Sequence, residues 1–425
     1  MRDRPPLPPG PWLVVGLARS GVAAAQALTA RGERVVAVDA GSPPSLPDGV
    51  EVHVRTDGLA QLEQARAVVK SPGVPREAAV IAAARSRGIP VLGELELGWR
   101  LLGNEFIAVT GTNGKTTTVQ LLGHMHREAG LPVAVAGNVG DALSGLAGRG
   151  YLAPEAIVVC EASSFQLEDA SEFAPEGAVL LNVQADHLDR HGTVEDYLAA
   201  KLRVFARQGN DDIAVAPAGL GIEDLGGCAR RVPFGIGGEL DDRAGHLWWD
   251  EQSLIAHDEI RLRGAHNRAN AAAAAAIALA RGIDADAVRT ALRGFAGVEH
   301  RLEEVAMVDG VLYVNDSKAT NVASTLVALA SFEAPVHLIL GGLGKGQDFA
   351  ALRGRAHRVY LIGEAAEQLR HEAGGERCGS LEEAVARARA AASPGEVVLL
   401  SPACASFDQF ADYEARGRAF KALLT

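Results

Sequence analysis

The sequence is short of cysteine, of basic charge and of long apolar runs, and each shortage removes a class of protein. Cys160, Cys228, Cys378 and Cys404 lie far apart with no C-x-x-C pair. That spacing fits neither a zinc site nor a disulfide framework, and it points to a reducing cytoplasm. Acidic residues outnumber basic ones, 53 against 41, for a formal net charge of -12. Gripping nucleic acid or an anionic membrane over a broad face takes basic patches, so neither partner is expected. Small anionic ligands stay open, because single loops bind them. No stretch reaches the ~18 uncharged apolar residues that a membrane-spanning helix needs. The opening "MRDRPPLPPGPW" carries charge and proline but no apolar core of a secretory signal. A cytoplasmic chain without membrane insertion is the expectation.

What is present suits a large globular protein. With 48% hydrophobic and 22% charged residues the chain can bury sizeable cores. Its 425 residues exceed one ordinary core, and three domains are expected within the roughly two to four that length allows. Three apolar runs each end in a glycine-rich turn followed by a helical pattern: "WLVVGLARSG", "FIAVTGTNGK" and "VHLILGGLGKG". Further runs such as "RVVAVD", "VAVAG", "AIVVCE", "AVLLNV", "RVYLIG" and "EVVLLSP" alternate with alanine-rich segments of helical period. An α/β fold with mostly parallel sheets follows. Boundaries are placed near Leu95 and near Val298, giving segments 1–95, 96–298 and 299–425. The low-complexity run "NRANAAAAAAIALARG" reads as packed helix, with Gly282 suited to its C-terminal cap.

The first unit has a nucleotide-like plan and an imperfect fingerprint. Asp39 ends the second strand, where a dinucleotide-binding fold would hold a ribose hydroxyl. The turn reads G-L-A-R-S-G, with Ala18 where the fingerprint has its second glycine, so backbone approach to a pyrophosphate is less open. A tight turn in any doubly wound sheet explains it as well as NAD does. "KSPGVP", from Lys70 to Pro75, supplies a third loop at the same sheet end.

"TGTNGKTT" in the second unit is more specific. A strand, a glycine loop and a helix in that order leave unpaired N–H groups converging on one point, which is an anion cradle. Lys115 would face the terminal phosphates and the Thr116 hydroxyl a magnesium ion. The spacing departs from the common phosphate loop, since Val109 stands where the first glycine is usual. Glu161 and Asn138 each follow a strand and emerge at the same edge. "NVQADHLDRHG" gathers Asp186, His187, Asp189 and His191 in one polar turn, with His187 the favoured metal or substrate contact.

Lys201 falls inside an apolar stripe. Thr193 caps the helix of "TVEDYLAAKLRVFAR", with Asp196 three residues on, and Tyr197, Leu198, Leu202 and Phe205 form the buried face. A lysine buried there can lose up to ~3 to 5 pKa units and become a neutral amine able to capture carbon dioxide. The carbamate would be an anionic oxygen ligand for magnesium. The alternative is a snorkelling side chain whose ammonium reaches water.

"GTNGKTT", "EASSFQLE", "DHLDRHG", "AAKLRVF", "HNRAN", "HR", "NDSKATN" and "SPACASFDQF" together resemble the Mur ligases of peptidoglycan synthesis, and the last two resemble the glutamate-adding branch. The resemblance spans nearly the whole chain, and the family's phosphate loop has the shorter glycine spacing. It implies a Rossmann-like first domain for a UDP-sugar, a central ATPase with a mostly parallel sheet, and a Rossmann-like third domain for glutamate. It implies ATP, two magnesium ions and a carbamylated Lys201 as cofactors, with UDP-N-acetylmuramoyl-L-alanine and D-glutamate as substrates of a monomer. Gly111, Thr112, Asn113, Gly114, Lys115, Thr116 and Thr117 would cradle ATP, with Asn267 and Asn270 at adenine and Arg301 and Asp316 near phosphates and ribose. Thr116, Glu161, His187 and Lys201 would hold magnesium, and Lys115, Glu161, His187 and Lys201 would carry the chemistry. Arg19, Ser20, Asp39, Gly73, Asn138 and His187 would contact the UDP-sugar. Lys318, Thr320, Lys345, Ser406, Phe407 and Tyr413 would bind glutamate.

Overall fold

The computed structural model describes residues 4–138, 140–150, 152–221 and 224–424. The chain divides into two compact units. One comprises Met1–Glu259 with Ala269–Arg293, the other Ile260–Arg268 with Gly294–Thr425.

The first unit contains two of the described sheets. Five strands, all parallel, run in the order Glu51–Val54, Val35–Asp39, Trp12–Val15, Ala67–Lys70, Val91–Gly93. The two central strands are buried at every position, as expected for apolar runs covered on both faces. Glycine is required at Gly21 in helix Arg19–Ala30: a Cβ there would lie 1.8 Å from the Gly16 carbonyl oxygen. That close approach is what sets the helix tightly on the sheet.

The larger sheet has nine described strands, and Phe106–Thr110 lies within it between Gly177–Leu180 and Ile157–Glu161, parallel to both. Its far edge is antiparallel, through Leu240–Arg243, His246–Trp249 and Gln252–Ala256. This edge adds to the parallel pattern read from sequence. Asp250 and Glu251 turn the hairpin with φ of 48° and 59°, a left-handed pair usually marked by glycine or asparagine. Helix Ala265–Ala280 is packed as expected, with Ala271 through Ala278 all buried and Gly282 at φ 85° beyond its end.

The second unit has six described strands in the order Glu303–Val308, Val311–Asn315, Val397–Leu400, Val336–Gly341, Arg358–Ile362, Glu376–Gly379. Only the first pair is antiparallel. Apolar clusters cover both faces, one around Leu338, Leu340 and Phe349, the other around Ile339, Tyr360 and Phe420. In all three sheets the C-terminal strand ends carry many of the residues singled out from sequence, the position where open α/β sheets bind ligands, whereas Lys201, Asn267, Asn270 and Tyr413 lie on helices.

Candidate active site

Strand Phe106–Thr110 is wholly buried, so the chain leaves it at a fixed point and direction. Gly111 and Gly114 then take φ of 152° and 86°, which allows the loop to turn back into helix Lys115–Glu128. A Cβ on Gly114 would lie 2.1 Å from Asn270 Oδ1, so this glycine also makes room for the asparagine against the loop. Lys115 Nζ donates to the carbonyls of Gly111 at 2.9 Å and Thr112 at 2.8 Å, holding its charge over the cradle. Asn113 N–H bonds Asn182 Oδ1 at 2.9 Å, and Thr112 N–H bonds the Asn182 carbonyl at 3.0 Å, fixing the loop to the end of the neighbouring strand.

Thr116 and Glu161 meet directly. The Thr116 hydroxyl donates to Glu161 Oε2 at 2.8 Å, and Asn138 Nδ2 donates to Oε1 at 2.9 Å. Glu161 is 2% exposed, and no cationic side chain among the described residues pairs with it. A buried carboxylate next to a hydroxyl, without a cation of its own, is a donor set that suits a hard divalent ion. Magnesium therefore fits at Thr116 and Glu161, where it would screen phosphate charge.

Lys201 is 1% exposed, and its Nζ donates to the Gly111 carbonyl at 2.8 Å while lying 4.2 Å from the Tyr197 ring centre. Burial, aided by the like charge of Lys115, lowers its pKa to about 7 although Asp186 pulls the other way. It does not snorkel. The Thr193 cap is present, its hydroxyl accepting from Asp196 N at 3.1 Å. The helix is shorter than the sequence suggests. It spans Val194–Leu202, and Phe205 lies in a following turn where bonds such as Phe205 N to Leu202 O tighten the chain.

His187 has a left-handed φ of 52° and stands beside Phe165, ring centres 4.9 Å apart, with Asp186 at 3.6 Å. It is half-exposed, and none of its described bonds reaches Lys201 or Glu161. His191 stacks on Phe165 with ring centres 5.5 Å apart and bonds Ser164 Oγ at 3.0 Å. The side chain of Asp189 lies outside the described residues.

At the first sheet, Asp39 shapes its own loop: its carboxylate accepts from Leu17 N at 2.6 Å and Gly41 N at 2.7 Å. Arg19 reaches the Asn138 carbonyl at 3.1 Å, Ser20 follows it in the first turn of the helix, and nothing crowds Gly73. A groove of about 550 Å³, lined by Leu17, Arg19, Ser45, Asp141 and Ser144 among others, opens from this region.

In the second unit, Asp316 accepts from Ser401 Oγ at 2.8 Å and Leu302 N at 3.2 Å, and burial raises its pKa to about 7. Arg301 is half-buried near it and opposes that rise. Asn267 bonds the Arg263 carbonyl at 2.8 Å. Lys318 Nζ lies 3.6 Å from the Tyr413 ring centre, and Lys345 Nζ 5.8 Å from that of Phe407, which is 66% exposed. Ser406 is buried, and Thr320 accepts from Gln347 through its carbonyl at 3.4 Å.

Two arginines that the motifs do not single out organise these loops. Arg416, 1% exposed, donates to Ser317 Oγ and O, to the carbonyls of Cys404 and Ala405, and to that of Gly341, at 2.9 to 3.4 Å. It thereby joins the loops that bear Lys318, Ser406 and Lys345. Among the described residues it has no carboxylate partner, and burial lowers its pKa to about 10. Arg190 does comparable work beside His187. Position on a helix could have flagged Arg416, since its neighbour Phe420 faces the core, but only the fold shows what it bonds.

Three domain models match the chain: Mur ligase MurD-like N-terminal domain over residues 11–93, Mur ligase middle domain over 109–278, and Mur ligase, glutamate ligase domain over 300–404. A protein of Anaeromyxobacter dehalogenans is 44% identical over 453 residues, and one of Pelotomaculum thermopropionicum 41% over 447 residues, each spanning 97% of this chain and 96% of its own. Both are named UDP-N-acetylmuramoylalanine--D-glutamate ligase. Among solved structures, the UDP-N-acetylmuramate-alanine ligase of Thermotoga maritima has a TM-score of 0.58 at 19% identity, covering 97% of this chain and 98% of its own. It shows the same fold. With all three segments and almost the entire length matched, the chain belongs to the Mur ligase family.

Proposed function

We propose that the chain is an ATP-dependent amide ligase that joins D-glutamate to UDP-N-acetylmuramoyl-L-alanine, a step of peptidoglycan precursor synthesis in the cytoplasm. The observation that carries the chemistry is the buried triad of Thr116, Glu161 and Lys201 packed on one phosphate loop. The amine donor comes from what the relatives are named. Segment 1–95 holds the UDP-sugar, 96–298 holds ATP and magnesium, and 299–425 brings glutamate, in a monomer.

A carboxylate is a poor acyl donor until phosphorylated. The alanine carboxylate attacks the γ-phosphorus, the bond to the β-phosphate oxygen breaks, and ADP leaves an acyl phosphate. The glutamate amine then adds to the acyl carbon, the C–O bond to phosphate breaks, and the amine proton is lost as the amide forms. The loop of residues 111–117, whose Thr112 and Asn113 N–H groups are given to Asn182 and whose N–H groups at 114–117 open the helix, cradles the phosphates with Lys115, and Lys115 offsets charge as it moves to the bridging oxygen. Thr116 and Glu161 would hold magnesium, which would supply Lewis-acid screening of the same charge. Lys201, as a neutral amine, could add carbon dioxide and lose a proton to give a carbamate, and this anionic oxygen and His187 would be the residues to hold a second magnesium. Asn267, Asn270, Arg301 and Asp316 place the nucleotide. Arg19, Ser20, Asp39, Gly73 and Asn138 place the UDP-sugar, and Lys318, Thr320, Lys345, Ser406, Phe407 and Tyr413 receive the two carboxylates of glutamate.

The test is to supply ATP, magnesium and the UDP-sugar with D- or L-glutamate and to follow orthophosphate and product mass. One phosphate per glutamyl product with the D isomer is expected; phosphate release without a heavier product defeats the reading. For the carbamate, Lys201→Ala should be inactive and regain activity with added short carboxylic acids. A folded variant that no acid rescues would leave Lys201 without that role.

A further inference from the structure

Helix Ser164–Glu168 ends in two neighbouring acids, Glu168 and Asp169, and four basic side chains converge on them. Lys70, which is 0% exposed, bonds Asp169 Oδ2 at 2.5 Å, and Arg85 bonds Oδ1 at 3.2 Å. Arg76 reaches Glu168 Oε1 at 3.5 Å, and Arg190 reaches Oε2 at 3.0 Å. Lys70 and Arg76 bracket the loop that contains Gly73, whereas Arg190 belongs to the turn that contains His187. Four cations on two carboxylates leave positive charge in surplus beside that loop.

Arg190 is the member that touches every part of the joint. Its Nη1 donates to the Pro72 carbonyl at 2.9 Å, its Nη2 to Glu168, and its guanidinium lies 4.2 Å from the Phe165 ring centre. Phe165 in turn contacts the rings of both His187 and His191, at 4.9 and 5.5 Å between centres. The planar fork of arginine can serve two acceptors and stack on a ring at once, which a lysine cannot. His187 sits in a left-handed backbone conformation that a non-glycine residue holds only when its surroundings enforce it. We infer that Arg190 is a positioning residue for the UDP-sugar: it locks the Gly73 loop of the first sheet to the His187 turn, so that two walls of one anion-binding site keep a fixed spacing. This rests on the ligase reading above and assigns a role to a residue that reading does not use.

Steady-state kinetics with each substrate varied in turn tests it. Arg190→Met should raise KM for the UDP-sugar about 10- to 100-fold, the loss typical when a supporting bond to a binding group is removed. The fall in kcat should be smaller, and KM for ATP and for glutamate should stay within twofold. Arg190→Lys should recover part of the loss. Glu168→Gln should shift the same constant, and adding Arg190→Met to it should cost little more, because both break one joint. Should Arg190→Met misfold, titration of the UDP-sugar into Glu168→Gln by calorimetry reads the same effect as weakened affinity. All three KM values rising together, or a folded variant with unchanged KM for the UDP-sugar, would overturn the inference. Wild-type enzyme serves as the control: if it forms no amide product the ligase reading fails, whereas an active wild type with unaffected variants removes only the role of Arg190.

Discussion

A cation at Lys201 costs the folded chain stability. Its pKa falls from 10.5 to about 7, so between those values the folded chain holds fewer protons than the unfolded one, and stability climbs as pH rises from about 7 to 10.5. A shift of that size corresponds to roughly 5 kcal/mol across the window. In buffer freed of carbon dioxide, Lys201→Met is therefore expected to melt several degrees higher at pH 7 and to lose much of the pH dependence between pH 7 and 10. Differential scanning fluorimetry across that range checks both points; a variant less stable than wild type at pH 7 would show that the amine is not strained. The residue is kept against stability, as expected of a functional group. Lys115 is different, since its ammonium is already satisfied by two carbonyls of the loop. Lys115→Ala should lower turnover by about 10² or more while binding of the UDP-sugar persists. Turnover near normal would remove it from the phosphate-transfer step.

At the level of elements, the loops that follow parallel strands are held from below. In the second unit the strand ends at Asn315, Gly341 and Leu400 release three loops that are fastened together by the Arg416 guanidinium on helix Tyr413–Ala422 and by Gln347 Nε2, which donates to the carbonyls of Thr320, Gly344 and Ala403. Ser317 Oγ extends this fastening by donating to the Tyr413 carbonyl at 2.8 Å. Replacing Arg416 by methionine leaves several buried carbonyls without donors, at ~1 to 3 kcal/mol each. Its expected signature is a KM for glutamate raised by an order of magnitude or more, with phosphorylation of the UDP-sugar carboxylate less affected. Trapping the acyl phosphate with hydroxylamine separates the two; equal losses in both assays would make Arg416 a stabiliser of the whole unit instead.

Across the whole molecule, two compact units imply two thermal transitions rather than one. The Lys70–Asp169 pair lies entirely within the first unit, and burial lowers the Lys70 pKa even though Asp169 opposes that shift. Asp169→Asn strands a buried ammonium and should cost about 3 to 5 kcal/mol. Scanning calorimetry should show the transition of the first unit moving down and that of the second staying in place, with Lys70→Met in the same chain recovering much of the loss. A single transition that moves as a whole would contradict the division into independent units. No helix among the described residues is long and apolar enough to cross a membrane.

The strands, the phosphate loop and the place of Lys201 in an apolar stripe were legible because each rests on local rules: apolar runs of strand length, glycines where φ turns positive, and a charged residue on an apolar helical face; that the Lys201 amine is buried and does not snorkel to water was decided by packing. The family resemblance added expected roles for distant positions. The antiparallel edge was not legible: its second hairpin turns at Asp250 and Glu251 without glycine, and its first has a single glycine, Gly245, after Ala244. Nor were Arg190, Arg416 and the Lys70–Asp169 pair, whose partners lie 22 to 118, 11 to 99, and 99 residues away along the chain. Periodicity reports how a residue relates to its own helix or strand and contains nothing about which loop another element brings alongside. The amino-acid order thus determined most of the strands and helices and which strand ends bear the glycine loops and their neighbouring polar residues. Tertiary structure alone decided which buried charges find partners, because pairing depends on distances that only packing sets.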